Sequence, residues 1–161
     1  MARPLYSTPN GILAAAEECG IARAAFRQLP GARALTVLDS VLESFTNGGL
    51  TNRAAHRLWD DLREPTFSLR RRADAATMLA LGDPATRVWL LVEDWERKKT
   101  GPGFWVFEAT LDAAARTLDN HHLVEFYIVS RGLDWLVAEN HHDMLVAAGE
   151  HAVEALQRLA R

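Results

Sequence analysis

Apolar residues in the first half of the chain recur at the three- and four-residue spacing that is typical of helices. This spacing predicts five helices, over residues 12–20, 21–29, 35–45, 51–63 and 68–82. Turn sequences such as Pro30-Gly31 separate them, and Thr51 and Ser68 stand where helix N-caps are expected. Residues 1–83 are therefore predicted to form a helical half.

The pattern changes after Pro84, where continuous apolar runs replace the helical spacing and indicate buried strands. Five such strands are predicted, at residues 88–92, 104–107, 123–129, 133–138 and 144–147. A helix begins at Thr110 and a last one at Gly149, which gives the order β-β-α-β-β-β-α. We expect one α+β domain over residues 1–161, in which the helical half packs on a five-stranded mixed, mostly antiparallel sheet in residues 84–161.

Charge and cysteine content narrow the functional class. The net charge of −3 argues against a general nucleic-acid-binding protein, which usually carries a basic surface. A single cysteine, Cys19, excludes an intramolecular disulfide and is typical of a reducing compartment. Because no apolar run has the length of a membrane span, we expect a cytoplasmic protein with no membrane partner.

Four of the six histidines lie in two similar motifs. Asp119-Asn-His-His122 precedes one predicted strand, and Asn140-His141-His142-Asp143 lies between two others. Histidine titrates near neutral pH and is the commonest metal ligand, so these motifs mark a place where chemistry is expected.

A predicted hairpin brings the two motifs together. If Arg131-Gly132 is a two-residue turn in which glycine supplies a positive φ, Ser130 lies opposite Leu133. The same register places His122 opposite His141, with Cα atoms about 4.5–5.5 Å apart.

The loop that follows the first predicted strand is expected at the same end of the sheet. That end then forms a polar rim. Its predicted members are Glu93, Asp94, Lys98, Lys99, His121, His122, Asn140, His141, His142 and Asp143.

The rim has three interpretations. His121, His122, His141 and His142 are candidate ligands for zinc or iron, but adjacent side chains of a strand point to opposite faces, so we expect no bound metal or other cofactor. A histidine beside a carboxylate can act as a general base, although no nucleophile elbow or P-loop accompanies it. The third interpretation is structural or partner-binding, with Asn140 and Asp143 bracketing a tight turn.

Two tryptophans, Trp59 and Trp95, border acidic residues. Their neighbours are Asp60-Asp61 and Glu93-Asp94-Glu96. An aromatic side chain flanked by carboxylates is typical of an anchor for a basic partner surface, and the alternative is a tryptophan packed between helices and sheet.

Several segments resemble a family of short uncharacterised bacterial proteins, a domain of unknown function, over residues 51–149. The most specific part is the Trp-Leu-x-x-Glu-Asn-His-His-Asp stretch that ends at Asp143. The other similar segments are His56-Arg-Leu-Trp-Asp-Asp-Leu-Arg-Glu-Pro65, Val88-Trp-Leu-Leu-Val-Glu-Asp94, Phe104-Trp-Val-Phe-Glu108 and Glu125-Phe-Tyr-Ile-Val-Ser130. The resemblance implies a small bacterial cytoplasmic protein and no established activity.

Small acidic proteins of this size also resemble immunity proteins, by size and charge alone. We therefore predict a non-enzymatic protein that binds the basic domain of a bacterial toxin and neutralises the toxin by direct contact. The predicted partner-binding residues are Trp59, Asp60, Asp61, Glu93, Asp94, Trp95, Asn140, His141, His142 and Asp143. The alternative is a small metal- or histidine-dependent enzyme that uses the rim.

Overall fold

A seven-stranded antiparallel sheet forms the centre of the protein. The computed structural model describes residues 8–54, 57–94, 103–121, 123 and 125–161. The strands are β1 (Phe26–Gln28), β2 (Thr66–Arg70), β3 (Arg87–Glu93), β4 (Phe104–Thr110), β5 (Phe126–Ser130), β6 (Leu136–Glu139) and β7 (Met144–Ala148). Their order in the sheet is β1-β4-β3-β5-β6-β7-β2, so the two strands from the first half of the chain, β1 and β2, are its edges.

Helices cover both faces of the sheet. They are α1 (Pro9–Glu18), α2 (Gly31–Phe45), α3 (Ala75–Leu79), α4 (Leu111–Asn120) and α5 (Glu150–Leu159). Four of them, α1, α3, α4 and α5, bury apolar residues against one face. Helix α2 buries residues such as Leu38 and Leu42 against the other face. Strand side chains alternate accordingly: Leu90 faces the four helices and Leu91 faces α2.

The part of the chain after Pro84 folds in the predicted order β-β-α-β-β-β-α. The strands on either side of α4 run parallel to each other, because β4 and β5 flank β3 and both are antiparallel to it. The prediction of a five-stranded mixed sheet is wrong. In the described residues the sheet has seven strands, and every strand pair is antiparallel.

The first of the two strands that the sequence did not predict is β1, which lies in the segment 21–29, where a helix is predicted. Only one 3-10 turn, Arg23–Ala25, precedes it. Backbone pairing with β4 extends through Leu29, whose N–H donates to the Val106 carbonyl at 2.9 Å. Burial of Phe26 and the hydrogen bonds to β4 stabilise the strand more than the weak helical spacing favours a helix.

The second strand that the sequence did not predict is β2, which overlaps the beginning of the predicted helix 68–82. Phe67 and Leu69 pack towards the four-helix face, so the apolar period here is two. The N-cap of the helix that follows is Asp74 rather than Ser68, with Asp74 Oδ1 accepting from the Thr77 N–H at 2.7 Å. That helix, α3, is only 5 residues long.

The segment 51–63 also lacks the predicted α-helix. It contains 3-10 turns at Gly49–Ala54 and Leu58–Asp60, with Arg57 in the left-handed region at φ 65°. Hydrogen bonds hold this loop instead: Asp61 Oδ2 accepts from the Gly48 N–H and from Asn52 Nδ2, each at 2.8 Å. Because a residue in the left-handed region cannot continue an α-helix, Arg57 prevents a continuous helix over the segment 51–63.

The hairpin between β5 and β6 is longer than predicted. Ser130 lies opposite Trp135, to whose carbonyl its N–H donates at 3.1 Å, and four residues form the loop. Leu133, not Gly132, has the positive φ, at 58°. The register therefore shifts by two residues from the predicted one. Because His122 lies outside the described residues, its predicted distance to His141 stays a prediction.

Among the described residues, no helix combines the length and apolarity that a membrane crossing requires.

Candidate functional site

An open cleft on the α2 face of the sheet is the candidate functional site. It encloses about 520 Å³ above β7 and β2, and the segment 59–64 forms its wall. We call it the Trp59 cleft. Its lining residues are Trp59, Asp60, Leu62, Glu64, Thr66, Ser68, Asn140, His142, Met144 and Val146.

The wall of the cleft is held by the loop that Asp61 closes. The pKa of Asp61 lies below its usual value because Asn52 and then the Gly48 N–H donate to its carboxylate. Asp61 is thus part of the loop, whereas its neighbour Asp60 is exposed in the cleft. At the lower end of the wall, Glu64 accepts from the Thr66 N–H at 2.8 Å and from Thr66 Oγ1 at 3.1 Å.

Glu125 is the group that fixes both Trp59 and His141. Its Oε1 accepts from Trp59 Nε1 at 3.0 Å and contacts His141 Nδ1 at 2.7 Å. The adjacent Tyr127 hydroxyl accepts from the Trp59 backbone N–H at 3.2 Å. Three segments distant in sequence therefore meet at one carboxylate, which is 1% exposed.

Two buried carboxyl groups share this location. Glu93 and Glu125 lie across from each other, one residue beyond the Val92–Phe126 pair of β3 and β5. Burial raises the pKa of Glu125, but hydrogen bonds from Glu93, His141 and Trp59 outweigh it and hold that pKa below its usual value.

Burial also affects Tyr127. Its pKa is raised well above 10, mainly by burial and then by the nearby charge of Glu125. The phenol therefore stays protonated beside the carboxylate and serves as a fixed hydrogen-bonding group.

The turn between β6 and β7 carries the histidine pair. As predicted, Asn140 and Asp143 bracket it, with the Asp143 N–H donating to the Asn140 carbonyl at 3.1 Å. The Asn140 side-chain oxygen accepts from the His142 N–H at 2.9 Å and from the Met144 N–H at 3.2 Å.

The expected divergence of adjacent histidines is wrong for this pair, because both lie in the turn rather than in a strand. The ring centroids of His141 and His142 are 3.9 Å apart. Both rings point an edge or face at Trp59, with centroid distances of 6.1 Å and 6.0 Å. The two histidines thus lie beside the cleft as a pair.

The structure brings together some of the predicted site residues and separates others. Trp59, Asp60, Asn140 and His142 line the cleft, and His141 is an exposed residue next to His142 that does not line it. Glu93 and Asp94 are at the same end of the sheet but are buried, which removes them from any exposed surface. Asp143 is exposed and pairs with Arg72 at 3.5 Å.

The remaining predicted members have other positions. His121 follows α4, and its N–H donates to the Thr117 carbonyl at 2.8 Å. Trp95, Lys98, Lys99 and His122 lie outside the described residues. Within the described ranges, no three His, Cys, Asp or Glu side chains are grouped closely enough to hold a metal ion.

Sequence reasoning missed Glu125, Tyr127 and Glu64 as site residues. For Glu125 a signal existed, because it is the one charged residue at the start of an otherwise apolar strand, 125–129. A charge at the edge of a buried strand needs a partner, and that requirement points to a polar cluster. No comparable signal identifies Glu64, whose place depends on the unpredicted strand β2.

Comparison with known proteins identifies a family to which the chain is similar. No curated protein and no solved structure matches the chain significantly. The model of a family of unknown function, DUF6756, matches residues 10–160. This match covers nearly the whole chain and agrees with the resemblance that its Trp-Leu-x-x-Glu-Asn-His-His-Asp stretch indicates. The protein belongs to this family, DUF6756.

Proposed function

We propose that the protein is a non-enzymatic binding protein whose Trp59 cleft holds a basic segment of a partner protein. The observation that carries the proposal is the composition of the cleft. It has an aromatic side chain fixed by Glu125 and two exposed carboxylates, Asp60 and Glu64. A rigid tryptophan next to acidic groups suits a cationic side chain, through cation–π and ion-pair contacts.

Fixation of the tryptophan supports this function further. Trp59 is bonded at its backbone N–H and at its indole Nε1, so little rotational freedom remains to be lost when a partner binds. Such preorganised aromatic groups are the usual anchors of protein interfaces.

The class of partner that we propose is a basic bacterial toxin domain, which the protein would neutralise by direct contact in the cytoplasm. The net charge of −3 favours association with a basic partner, because long-range attraction raises the association rate.

The test is affinity capture of a partner from the native host, followed by kinetics with purified proteins. Wild type is compared with Asp60→Lys and with Glu154→Lys, a matched charge reversal on α5 at the other face of the sheet. We expect Asp60→Lys to lower the association rate about tenfold at low salt and less at high salt. Glu154→Lys is expected to bind like wild type.

Trp59→Ala probes the anchor itself, and we expect it to raise the dissociation rate. Each variant needs an unchanged melting transition before its kinetics are interpreted. If a captured partner binds both cleft variants with wild-type rate constants, the cleft is not the interface. A captured toxin whose lethality the protein does not suppress in co-expression would overturn the inhibitor function alone.

A second candidate function rests on the contact of His141 with Glu125. An ionised carboxylate only accepts hydrogen bonds, so Nδ1 carries the proton and Nε2 is the nitrogen that can act as a base. The matching activity is general-base hydrolysis, in which Nε2 takes a proton from a water that attacks the carbonyl carbon of a small ester or amide bound beside His141; the acyl C–O or C–N bond breaks and the proton leaves with the alcohol or amine. A panel of small ester and amide substrates tests it, with loss of turnover in His141→Asn and retention in His142→Asn as the expected pattern.

A further inference from the structure

We propose that the open edge of β2 binds an extended segment of the partner as an eighth strand, whose basic side chains enter the Trp59 cleft. This inference rests on the proposed function and names the binding mode and the sequence pattern of the partner. Strand addition of this kind takes its affinity from main-chain hydrogen bonds and its specificity from pockets for alternate side chains.

The register of the sheet determines which backbone groups face the open edge. The Gly149 N–H donates to the Pro65 carbonyl at 3.1 Å, which makes these two residues a hydrogen-bonded pair. In an antiparallel ladder such pairs alternate with non-bonded ones, so Phe67 and Leu69 bond to β7. The backbone N–H and C=O groups of Thr66, Ser68 and Arg70 therefore point away from β7.

Hydrogen bonding on the far side of β7 agrees with this assignment. The Asn140 N–H donates to the Met144 carbonyl at 3.0 Å, which directs Met144 and, in alternation, Val146 towards β6. Val146 lies opposite Ser68 and cannot also bond to it, so the groups of Ser68 face outwards.

Most of these outward groups are available. The Thr66 N–H is bonded to Glu64. For the outward N–H and C=O of Ser68 and Arg70, the described part of the chain supplies no hydrogen-bond partner. Both residues are exposed. An unpaired strand edge of this kind is a ready template for another chain.

The two faces beside this edge differ in chemistry and thereby define the partner. Thr66 and Ser68 lie on the cleft face, near the carboxylates of Asp60 and Glu64. Phe67 and Leu69 lie on the opposite face, partly buried against the core that α5 covers. Because side chains of an added strand also alternate, its best sequence places Lys or Arg at every second position and apolar residues between them.

The probe for this mode is a blocked synthetic octapeptide of alternating Lys and Val, with alternating Glu and Val as the charge control. Amide hydrogen exchange is measured by NMR on the full chain. We expect the Lys-Val peptide to slow exchange of the Ser68 and Arg70 amides about tenfold or more, because these N–H groups become bonded. The Glu-Val peptide is expected to leave them unchanged.

Two substitutions at one position isolate the main-chain contribution. Ser68→Pro removes the outward N–H without removing a bond to β7, and proline is tolerated at the outer edge of a sheet. Ser68→Ala keeps the N–H. We expect Ser68→Pro to bind the peptide about tenfold more weakly than Ser68→Ala, since both variants lack the hydroxyl and only the proline variant lacks the N–H. The exchange measurement on wild type remains decisive if Ser68→Pro fails to fold.

Three results would overturn strand addition. One is peptide binding without protection of Ser68 and Arg70; another is absence of binding at about 1 mM peptide. The third is a dimer that Ser68→Pro dissociates, which would assign the edge to a second copy of this chain. The proposed function fails separately: it requires that Asp60→Lys weaken the captured partner, whatever Ser68→Pro does.

Discussion

His141 Nδ1 lies 2.7 Å from Glu125 Oε1, and this contact joins the β6–β7 turn to the beginning of β5. The same oxygen accepts from the indole of Trp59, so one buried carboxylate positions both the aromatic wall of the cleft and the histidine beside it. Removal of that charge is therefore expected to affect both groups together.

Glu125→Gln tests this role. The pKa of Glu125 in the folded protein lies below its usual value of 4.5, because hydrogen bonds to the carboxylate outweigh burial. Its stabilisation is hence complete above pH 4.5 and is lost as the pH falls through the lower folded pKa. We expect the substitution to lower the free energy of unfolding by about 2 kcal/mol at pH 7, and the difference from wild type to shrink towards pH 3 in chemical denaturation.

Glu139→Gln is the matched control with the opposite sign. Burial raises the pKa of Glu139, against the smaller effects of the Ala73 N–H and Arg72. A raised carboxyl pKa costs stability as the pH rises above 4.5, because the unfolded state ionises first. Glu139→Gln should therefore unfold at the same or higher denaturant concentration than wild type at pH 7, with no advantage at pH 3. The same acid dependence in both variants would contradict these assignments.

Tyr127→Phe examines the second attachment of Trp59. The substitution removes the hydroxyl that accepts from the Trp59 N–H at 3.2 Å and leaves a part-buried donor without its protein partner. We expect a loss of about 1–2 kcal/mol in the free energy of unfolding, together with a red shift of tryptophan emission if Trp59 gains exposure. Wild-type stability and emission would show that the hydroxyl does not fix this wall.

Asp61→Ala and Asp60→Ala separate loop stability from binding. Asp61 accepts two hydrogen bonds at 2.8 Å within its own loop, and its lowered pKa means that this stabilisation is lost as the pH falls below 3.8. Asp60 is exposed in the cleft. We expect Asp61→Ala to lower the melting temperature at pH 7 and Asp60→Ala to leave it unchanged. A reversed order would place Asp60, rather than Asp61, in the loop.

The second half of the fold was predictable from sequence because its strands are buried on both faces. Long apolar runs such as 88–92 leave little choice of structure, and the turn and cap signals between them are strong. The edge strands are different. β1 has three residues and β2 has five, too few for a period of two to be distinguished from helical spacing, and long-range pairing decides their conformation.

The candidate site was only partly predictable for the same reason. The turn at Asn140 and Asp143 follows from local chemistry, because asparagine and aspartate side chains bond nearby backbone. The approach of Trp59 to His141 depends on a loop whose hydrogen bonds replace the predicted helix. The hairpin is longer than predicted because Leu133 has a positive φ. Leucine rarely adopts that conformation, so the sequence does not indicate it.

Gly149→Ala tests the link between the core of the sheet and the β2 edge. Gly149 has φ 88°, and a Cβ there would overlap the Asp134 carbonyl oxygen and lie 3.1 Å from Trp135 Cα. Its N–H also bonds to Pro65, directly before β2. We expect a loss of about 2 kcal/mol or more in the free energy of unfolding. Amide exchange should also become faster at Phe67 and Leu69, whose hydrogen bonds to β7 follow the Pro65–Gly149 pair.

Gly132→Ala is the control, because its Cβ would meet only the Asp134 side chain, at 3.4 Å, and its φ is not positive. Equal stability of the two variants would mean that the Gly149 backbone can relax, and that the β2 edge is not held through this residue.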